Sequence, residues 1–346
     1  MAKRKWRVIT KSWCWLCLSL LTFFAFSFVV ACDGDIGQQS STGSSPPECR
    51  TIQHQLGETC VPTNPQRIVA ADFIAIEILL ALGLKPIAAA DTSIKGTPPR
   101  HLAGKVDDIV SLGNRFQLNL ERTLQLNPDL ILGDGSILEK NYNEFSQIAP
   151  TVVLDYFYFK NHNAWKSTLQ RAGEALSRSQ QAQQQLEKYQ DRVEKLRRVM
   201  GDHLDQTEVS LARFNNRSVM GFRDRSSFPG SVLEDVGLPR PPAQRKTNSD
   251  STFKSVSLER LDLLDGDVIF VLLGNDAKEP FAEFRKDPLW QKLEAVQNNR
   301  VFTVDFNYWS GGNVLAANAI LDDLFEYLVQ EEDNDDNQFS SFGRGN

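Results

Sequence analysis

The sequence predicts an α/β protein with two Rossmann-like lobes of parallel sheet, joined by one long connecting helix. Two patterns carry this prediction. Short apolar runs alternate with helix-like segments on both sides of the middle of the chain, which is typical of parallel strands covered by helices. Between them, residues 164–204 carry no strand pattern but one apolar stripe with spacings of 3 and 4, which is typical of an amphipathic helix.

Length and composition exclude several broad classes of protein. The chain has 346 residues, of which 41% are hydrophobic and 24% charged, so it can bury two cores and is not globally disordered. It contains one long uncharged apolar run, Trp13 to Ala31, which excludes a polytopic membrane protein. A formal net charge of −6 without a basic stripe argues against nucleic-acid binding.

The beginning of the chain is expected to be an export signal and a tether. Five basic residues precede the 19-residue apolar run, which is the layout of a secretory signal. The run ends in Val29-Val30-Ala31-Cys32, which resembles a bacterial lipobox. We therefore expect a signal peptide at 1–31, a lipid on Cys32, and a flexible tether at 32–47. A signal-anchor helix is the alternative, because a run of 19 residues can just span a bilayer.

Export changes the charge of the chain. Loss of residues 1–31 removes five of the 38 basic residues and none of the 44 acidic ones, which leaves a formal net charge of −11. Part of this charge lies in residues 331–346, which are expected to be an acidic, disordered tail.

Export also decides the state of the cysteines. Cys14 and Cys17 leave with the signal, so Cys49 and Cys60 remain in an oxidising compartment. We predict that these two form a disulfide across a hairpin whose turn is Leu56-Gly57. This turn would not place them directly opposite each other, so the strand would have to bend.

The first lobe is predicted to cover residues 48–163. Its expected strands are Arg67–Asp72, Pro86–Asp91, Ile109–Leu112, Leu130–Gly133 and Thr151–Asp155. Its expected helices are Phe73–Leu82, ended by Gly83, Asn119–Leu126, ended by Asn127-Pro128, and Leu138–Ile148.

The connecting helix region is predicted at 164–204 and the second lobe at 205–330. The apolar stripe of the connecting helix consists of Ala182, Leu186, Tyr189, Val193, Leu196 and Met200. The expected strands of the second lobe are Val209–Phe214, Val268–Leu273 and Val301–Asp305. Its expected helices are Gly230–Val236, Ser257–Leu264, Pro288–Val296 and Asn313–Val329.

Motifs for metal binding and catalysis are weak or missing. The sequence has neither a P-loop nor G-x-G-x-x-G, and its histidines are scattered, so a bare metal site is not expected. Ser251-Thr252-Phe253-Lys254 matches the S-x-x-K motif of β-lactamases, but the companion motifs S-D-N and K-T-G are missing and residues 245–255 suggest a polar loop. Enzyme activity is therefore not expected, and a serine hydrolase using Ser251 and Lys254 is a remote alternative.

Several residue blocks together resemble the ferric-siderophore and iron(III)-dicitrate binding proteins of ABC importers. Their order and spacing over residues 49–330 make the resemblance specific. The blocks are Asn64-Pro65-Gln66-Arg67-Ile68-Val69, Leu112 to Glu121 with Leu126 to Ile131, Ser146 to Val152, Gly230 to Leu238, Pro288-Leu289-Trp290, and Tyr308 to Gly312 with Ala316 to Leu324.

The resemblance implies a helix-linked, bilobal periplasmic binding protein with a ligand cleft between its lobes and a small hinge motion. It implies a lipid-anchored extracytoplasmic monomer that delivers a ferric siderophore or ferric citrate to an ABC permease dimer. The chelator would hold the iron, so neither a cofactor nor metal ligands from the protein are expected. A cobalamin or haem binder of the same fold is the alternative.

The resemblance also points to individual residues. Arg115 and Arg213 match arginines that contact the chelate in the family, and both follow or end strands at the edge where open α/β sheets bind ligands. Trp309 is expected to form an aromatic wall of the cleft. The weaker ligand-binding candidates are Tyr142, Arg223, Arg217 and Arg225.

Two glutamates are implied as docking residues for the permease. Glu139 lies in the first lobe and Glu234 in the second, and each would meet an arginine on one of the two permease subunits. Two separated charges of this kind would fix the orientation of the complex.

Overall fold

The computed structural model describes residues 48–90, 98–154, 164–215, 220–245 and 253–329. The predicted signal peptide, the tether with Cys32 and the acidic tail lie outside the described residues, as do Arg217 and Ser251. Within these ranges, no helix is long and apolar enough to cross a membrane.

An antiparallel hairpin precedes the first sheet. It consists of β1 (Cys49–His54) and β2 (Gly57–Pro62), so its turn lies one residue earlier than predicted. A disulfide joins Cys49 and Cys60, whose Cα atoms are 5.4 Å apart. In the ladder, Cys49 pairs with Pro62 and Cys60 with Thr51, so the two cysteines are diagonal neighbours.

The first lobe is built on a parallel five-stranded sheet. Its strands are β3 (Ile68–Ala70), β4 (Ala88–Ala89), β5 (Val110–Ser111), β6 (Leu130–Asp134) and β7 (Thr151–Leu154). Their order is β5-β4-β3-β6-β7, so β5 and β7 form opposite edges. The central strands are almost entirely buried, which explains their continuous apolar runs.

Four helices cover this sheet. They are α1 (Phe73–Ala81), α2 (Leu120–Gln125), α3 (Gly135–Leu138) and α4 (Tyr142–Ile148), and short 3₁₀ segments form at Arg100–Leu102 and Glu139–Asn141. The helix predicted over Leu138–Ile148 is confirmed in α4, but its first turn is a 3₁₀ segment and Leu138 ends α3. Asp72 starts α1, because its Oδ1 accepts hydrogen bonds from the backbone N–H groups of Ile74 (2.9 Å) and Ala75 (3.0 Å).

Two consecutive helices connect the lobes. They are α5 (Ala164–Ala175) and the 22-residue α6 (Ser179–Met200). Ser177 between them has φ 57°, a left-handed conformation that ends the first helix. The predicted long helix is confirmed in α6, whose buried side chains are Ala182, Tyr189, Val193, Leu196 and Met200.

The second lobe has a mixed five-stranded sheet. Its strands are β8 (Val209–Phe214), β9 (Met220–Arg223), β10 (Phe253–Val256), β11 (Val268–Leu273) and β12 (Val301–Asp305). The order is β10-β9-β8-β11-β12. The three predicted strands, β8, β11 and β12, are parallel to one another. Strand β9 runs antiparallel to both of its neighbours, β8 and β10, and neither β9 nor β10 was predicted. The prediction of a polar loop up to residue 255 is wrong for its last residues, because they form the edge strand β10.

Helices and short turns complete the second lobe. The helices are α7 (Phe228–Val236), α8 (Lys278–Phe284), α9 (Glu294–Gln297), α10 (Phe306–Trp309) and α11 (Val314–Leu324), followed by a π-helical turn at Phe325–Val329. The 3₁₀ segments are Gly201–Gln206, Pro242–Gln244, Leu258–Leu264, Asn275–Ala277 and Trp290–Lys292. The helix predicted over 257–264 is the 3₁₀ segment Leu258–Leu264. The helix predicted over 288–296 consists of the 3₁₀ segment Trp290–Lys292 and the short helix α9.

One apolar core runs through both lobes. It contains side chains of both sheets and of α1, α6, α7 and α11, among them Ile78, Val193, Val232 and Leu321. Because a packed core resists shear, this continuity favours small rather than large motions between the lobes.

Candidate ligand-binding site

Three parallel strands of the second lobe end at the same edge of their sheet. Phe214 of β8 pairs with Leu273 of β11, which pairs with Asp305 of β12. Arg213 stands one residue before the end of β8, and Phe306 is the first residue after β12. Both side chains therefore belong to the carboxyl edge of the sheet, where open α/β sheets bind ligands.

The Arg213 guanidinium lies over two aromatic rings. Its Cζ is 4.3 Å from the ring centroid of Phe306 and 5.6 Å from that of Phe253. Both distances are within the range of a cation–π contact, and a guanidinium in such a contact still has N–H donors for oxygen acceptors. The side chain is half-buried, and this burial lowers the pKa of Arg213, while the charge of Asp276 acts in the opposite direction.

Arg223 reaches the same ring from β9. It pairs across the ladder with Phe253, and its Cζ is 5.8 Å from the centroid of that ring. Arg213 pairs with Gly221 of β9, so Arg213, Gly221 and Arg223 share one face of the sheet. A Cβ on Gly221 would lie 2.4 Å from the Cζ of Phe253, so this glycine leaves the space that the ring occupies.

The two arginines make this face of the sheet cationic. Burial and, second, the charge of Arg213 lower the pKa of Arg223 to about 10, while Asp224 acts in the opposite direction. Both guanidinium groups therefore keep their protons at neutral pH and repel each other. An anion bound between them would relieve this repulsion and accept charge-assisted hydrogen bonds.

The first lobe offers an arginine in a different setting. Arg115 and Phe116 are the central residues of a β-turn that follows β5, closed by a 2.9 Å hydrogen bond from the Gln117 N–H to the Asn114 carbonyl. The Asn114 side chain supports the turn by accepting a 2.8 Å hydrogen bond from the Phe116 N–H. The Arg115 Cζ is 4.6 Å from the Phe116 ring centroid, and Phe116 is 66% exposed.

A contact between the lobes joins the segments that follow these two sheet edges. The connection that leaves the carboxyl end of β4 carries His101, whose ring centroid is 5.6 Å from that of Tyr308. Tyr308 lies on α10, which directly follows the carboxyl end of β12. The segments that follow the carboxyl ends of β4 and β12 are therefore in contact, and the ligand cleft between the lobes stays a prediction.

Two of the predicted ligand contacts lie elsewhere. Trp309 is completely buried, its ring stacks on Phe270 at 5.0 Å, and its Nε1–H donates to Asp323 Oδ2 at 2.6 Å. The prediction of Trp309 as a cleft wall is therefore wrong, because the tryptophan belongs to the core. The prediction for Tyr142 is not supported either, because its hydroxyl lies 3.3 Å from His54 Nε2 in the hairpin.

The docking glutamates differ in their surroundings. Glu139 is exposed in the 3₁₀ segment that follows α3. Glu234 on α7 forms an ion pair with Arg225. Both residues of this pair line a cavity of about 260 Å³ together with Arg240 and Arg245. The docking role of the two glutamates stays a prediction.

A direct metal site finds no support in the described part of the chain, where no three His, Cys, Asp or Glu side chains are grouped to hold an ion. Among the described histidines, the His54 Nε2 lies 2.9 Å from Thr59 Oγ1. Burial lowers the pKa of His54, so this ring is neutral at neutral pH.

Three aromatic residues of the site were missed by sequence reasoning. Phe306 precedes Trp309 on the same short helix, and Phe253 lies within the S-x-x-K match. Phe116 directly follows Arg115. The same signal could have indicated all three. Each is an aromatic residue that lies beside, or across from, a strand end where an arginine was predicted.

Comparison with known proteins identifies the family. A model of the periplasmic binding protein family matches residues 68–308. The chain belongs to this family. A probable siderophore-binding lipoprotein of Bacillus subtilis is 31% identical over 328 residues, which cover 90% of this chain and 98% of that protein. The Fe(3+)-citrate-binding protein of the same organism is 26% identical over 291 residues, 82% of this chain and 86% of that protein.

A solved structure supports the same assignment. Staphylococcus aureus SirA complexed with staphyloferrin B has a TM-score of 0.68 and 26% sequence identity, over 81% of this chain and 98% of that chain. The predicted architecture of two α/β lobes joined by a long helix is thereby confirmed. The family consists of binding proteins rather than enzymes.

Proposed function

We propose that this periplasmic binding protein captures an anionic ferric chelate, either a ferric siderophore or ferric citrate, and delivers it to an ABC permease for iron uptake. The observation that carries the proposal is the pair Arg213 and Arg223, whose Cζ atoms lie 5.6 and 5.8 Å from the centroid of the Phe253 ring. Burial and, second, the charge of Arg213 lower the pKa of Arg223. The oxygens of an anionic chelate would weaken the repulsion between the two arginines and accept charge-assisted hydrogen bonds.

The relatives support the same ligand class. One is named for siderophore binding, one for Fe(3+)-citrate, and the solved relative holds staphyloferrin B. Citrate presents carboxylate oxygens, which fit the planar fork of a guanidinium. The chelator would complete the coordination of the iron, so the protein would contact only the outer oxygens and the apolar parts of the ligand.

A titration with chelates tests the proposal directly. Intrinsic tryptophan fluorescence of the exported chain is followed against ferric citrate, a ferric catecholate, a neutral ferric hydroxamate, cobalamin and haem, with iron-free citrate as the control. We expect saturable quenching and the tightest binding for an anionic ferric chelate. The proposal fails if no ferric chelate binds, or if cobalamin or haem binds more tightly than all of them.

Anchoring at the membrane is part of the proposal. We expect the Cys32 thiol to carry a lipid that holds the protein at the outer face of the cytoplasmic membrane, because the residues before it resemble a lipobox. Cys32→Ala should release the protein or block its processing. A variant that is processed and membrane-bound like the wild type would contradict lipidation without affecting chelate capture.

Docking is proposed to use Glu139 and Glu234. The Arg225 partner of Glu234 would be exchanged for an arginine of the permease, which makes this contact reversible. Glu139→Ala and Glu234→Ala, made singly and together, should keep chelate affinity and reduce uptake into membrane vesicles that contain the permease. Full uptake by the double variant would end the docking proposal, and loss of chelate affinity would assign the glutamates to the cleft instead.

A further inference from the structure

The short helix α10 has two faces with different partners. Phe306 at its start contacts Arg213 in the candidate site, as described above. At its end, the Tyr308 hydroxyl donates to Asp323 Oδ2 at 2.7 Å, and the Trp309 Nε1–H donates to the same oxygen at 2.6 Å. Asp323 is 1% exposed, so a single buried carboxylate on α11 fixes the helix that carries Phe306.

The other oxygen of this carboxylate binds the first lobe. Arg100, in the 3₁₀ segment between β4 and β5, donates from Nη2 to Asp323 Oδ1, and also to the Ala319 carbonyl at 3.4 Å. The Arg100 Cζ lies 5.4 Å from the Tyr308 ring centroid. The next residue, His101, packs edge-on against Tyr308 and lies 3.2 Å from Glu77 Oε1 on α1.

A buried carboxylate needs all of its donors, because burial alone disfavours its charge. Burial raises the pKa of Asp323, while Trp309, Tyr308 and Arg100 act in the opposite direction. Two of these donors belong to the second lobe and one to the first. The charge of Asp323 is therefore stabilised jointly by both lobes only while Arg100 stays in contact with α11.

We propose that Asp323 and Arg100 are positioning residues for ligand capture, which hold the lobes at the angle in which the Phe306–Arg213 contact faces the first lobe. This inference rests on the proposed capture of a chelate between the lobes. Neither residue needs to touch the ligand. They act indirectly. Helix α10 contacts Arg100 through Tyr308 and Arg213 through Phe306, so a change in the angle between the lobes would move Phe306 relative to the Arg213 side chain.

The chain offers a matched control for the test. Arg192 of α6 forms an ion pair with Asp322, the neighbour of Asp323, and donates to the Asn318 carbonyl at 3.1 Å. Like Arg100, Arg192 binds α11 through an aspartate and a backbone carbonyl. Arg192 lies on the connecting helix, however, and its contacts do not involve α10. Arg100→Gln is therefore compared with Arg192→Gln, and Arg100→Lys tests rescue by a retained charge.

The first measurement needs no ligand. Spin labels at Asp108 and Lys286, exposed residues of the first and second lobe, report the distance between lobes in the full mature chain by pulsed dipolar spectroscopy. We expect a broader or shifted distance distribution for Arg100→Gln, and wild-type distributions for Arg100→Lys and Arg192→Gln. A wild-type distribution for Arg100→Gln, or an equal change in Arg192→Gln, would overturn the proposal.

The second measurement uses ferric citrate as the probe. We expect Arg100→Gln to weaken binding by about threefold to tenfold, mainly through faster dissociation, since a pair that is partly exposed contributes modestly. Arg192→Gln should stay within about twofold of the wild type. If Arg100→Gln shifts the lobe distance but not the ferric citrate dissociation rate, the positioning role is wrong. If the wild type binds no ferric chelate, the proposed function fails, while the distance measurement still decides whether Arg100 holds the lobes.

Discussion

The two lobes present their arginines in different ways. Arg213 of the second lobe stands on a strand between buried neighbours, and its Cζ lies 4.3 Å from the ring centroid of Phe306 and 5.6 Å from that of Phe253. Arg115 of the first lobe stands on a β-turn beside Phe116, which is 66% exposed. If both arginines bind the ligand, the second lobe would hold its cation in place beforehand, whereas the first lobe would order its side chain during binding.

This difference indicates a division of labour. A preorganised group contributes more free energy to binding, because less side-chain freedom is lost when the ligand enters. A group on an exposed turn contributes less but can adapt to ligands of different outline. The comparison therefore predicts unequal losses of affinity when the two arginines are removed.

The largest loss is expected for Arg213→Gln, which keeps an unbranched polar side chain but is shorter and removes the charge. A charge-assisted contact is worth about 1.5–3 kcal/mol, so the dissociation constant for the tightest ferric chelate should rise about tenfold to hundredfold. The matched control is Arg67→Gln, because Arg67 precedes β3 at the opposite end of a strand, where it donates to the Asn127 carbonyl at 3.0 Å. An unchanged constant in Arg213→Gln, with an unchanged melting temperature, would remove Arg213 from the site.

A second prediction tests preorganisation without removing any charge. A Cβ on Gly221 would displace the Phe253 ring, so Gly221→Ala should weaken chelate binding by about tenfold although both arginines remain. The same Cβ would lie 2.3 Å from the Lys254 carbonyl oxygen and could disturb β10. Phe253→Leu is therefore measured beside it, since it removes the ring without this clash. Wild-type affinity in folded Phe253→Leu would show that the ring does not hold the arginines.

The sequence predicted the strand ends of the candidate site better than the aromatic residues beside them. Apolar runs and the family resemblance placed Arg213 and Arg115 at the ends of strands, and the structure has them there, while their contact with a ligand stays a prediction. The aromatic residue beside Arg213 is Phe306 rather than Trp309, which lies three positions later. Both are large aromatic residues on one short helix, and only the position of Asp323 decides that Trp309 faces the core.

The fold shows the same limit. The parallel strands were all found, and the central ones, such as β11, leave a continuous apolar signal because they are buried on both faces. Strands β9 and β10 were missed, since an edge strand such as Phe253–Val256 carries polar residues on its exposed positions. Arg223 therefore had no predicted neighbour, although it pairs with Phe253 in the structure.

A smaller loss is expected for the arginine of the first lobe. Arg115→Ala should raise the dissociation constant by about threefold to tenfold, because an exposed contact is weakened by solvent and by side-chain ordering. Phe116→Ala, measured in parallel, shows whether the ring supports the arginine or contacts the chelate itself. The comparison between the lobes would be reversed if Arg115→Ala cost more affinity than Arg213→Gln in the same titration.

The smallest effect on binding is expected for the disulfide. The hairpin packs beside β7, where Thr59 donates to the Thr151 carbonyl at 2.7 Å, whereas Arg115 follows β5 at the opposite edge of the same sheet. The double variant Cys49→Ser and Cys60→Ser should therefore keep the dissociation constant within about twofold. Its free energy of unfolding should fall by about 2–3 kcal/mol, because the bond closes a short loop that limits the unfolded chain.

Denaturant unfolding and chelate titration of the same samples separate these two effects. Thiol labelling of the denatured, unreduced mature protein provides the starting point, since we expect both Cys49 and Cys60 to be oxidised after export. Two labelled thiols would contradict the disulfide in the exported protein. If the double variant instead loses as much affinity as Arg115→Ala, the hairpin must act on the cleft through the sheet, and the first lobe would be more rigid than its exposed turn suggests.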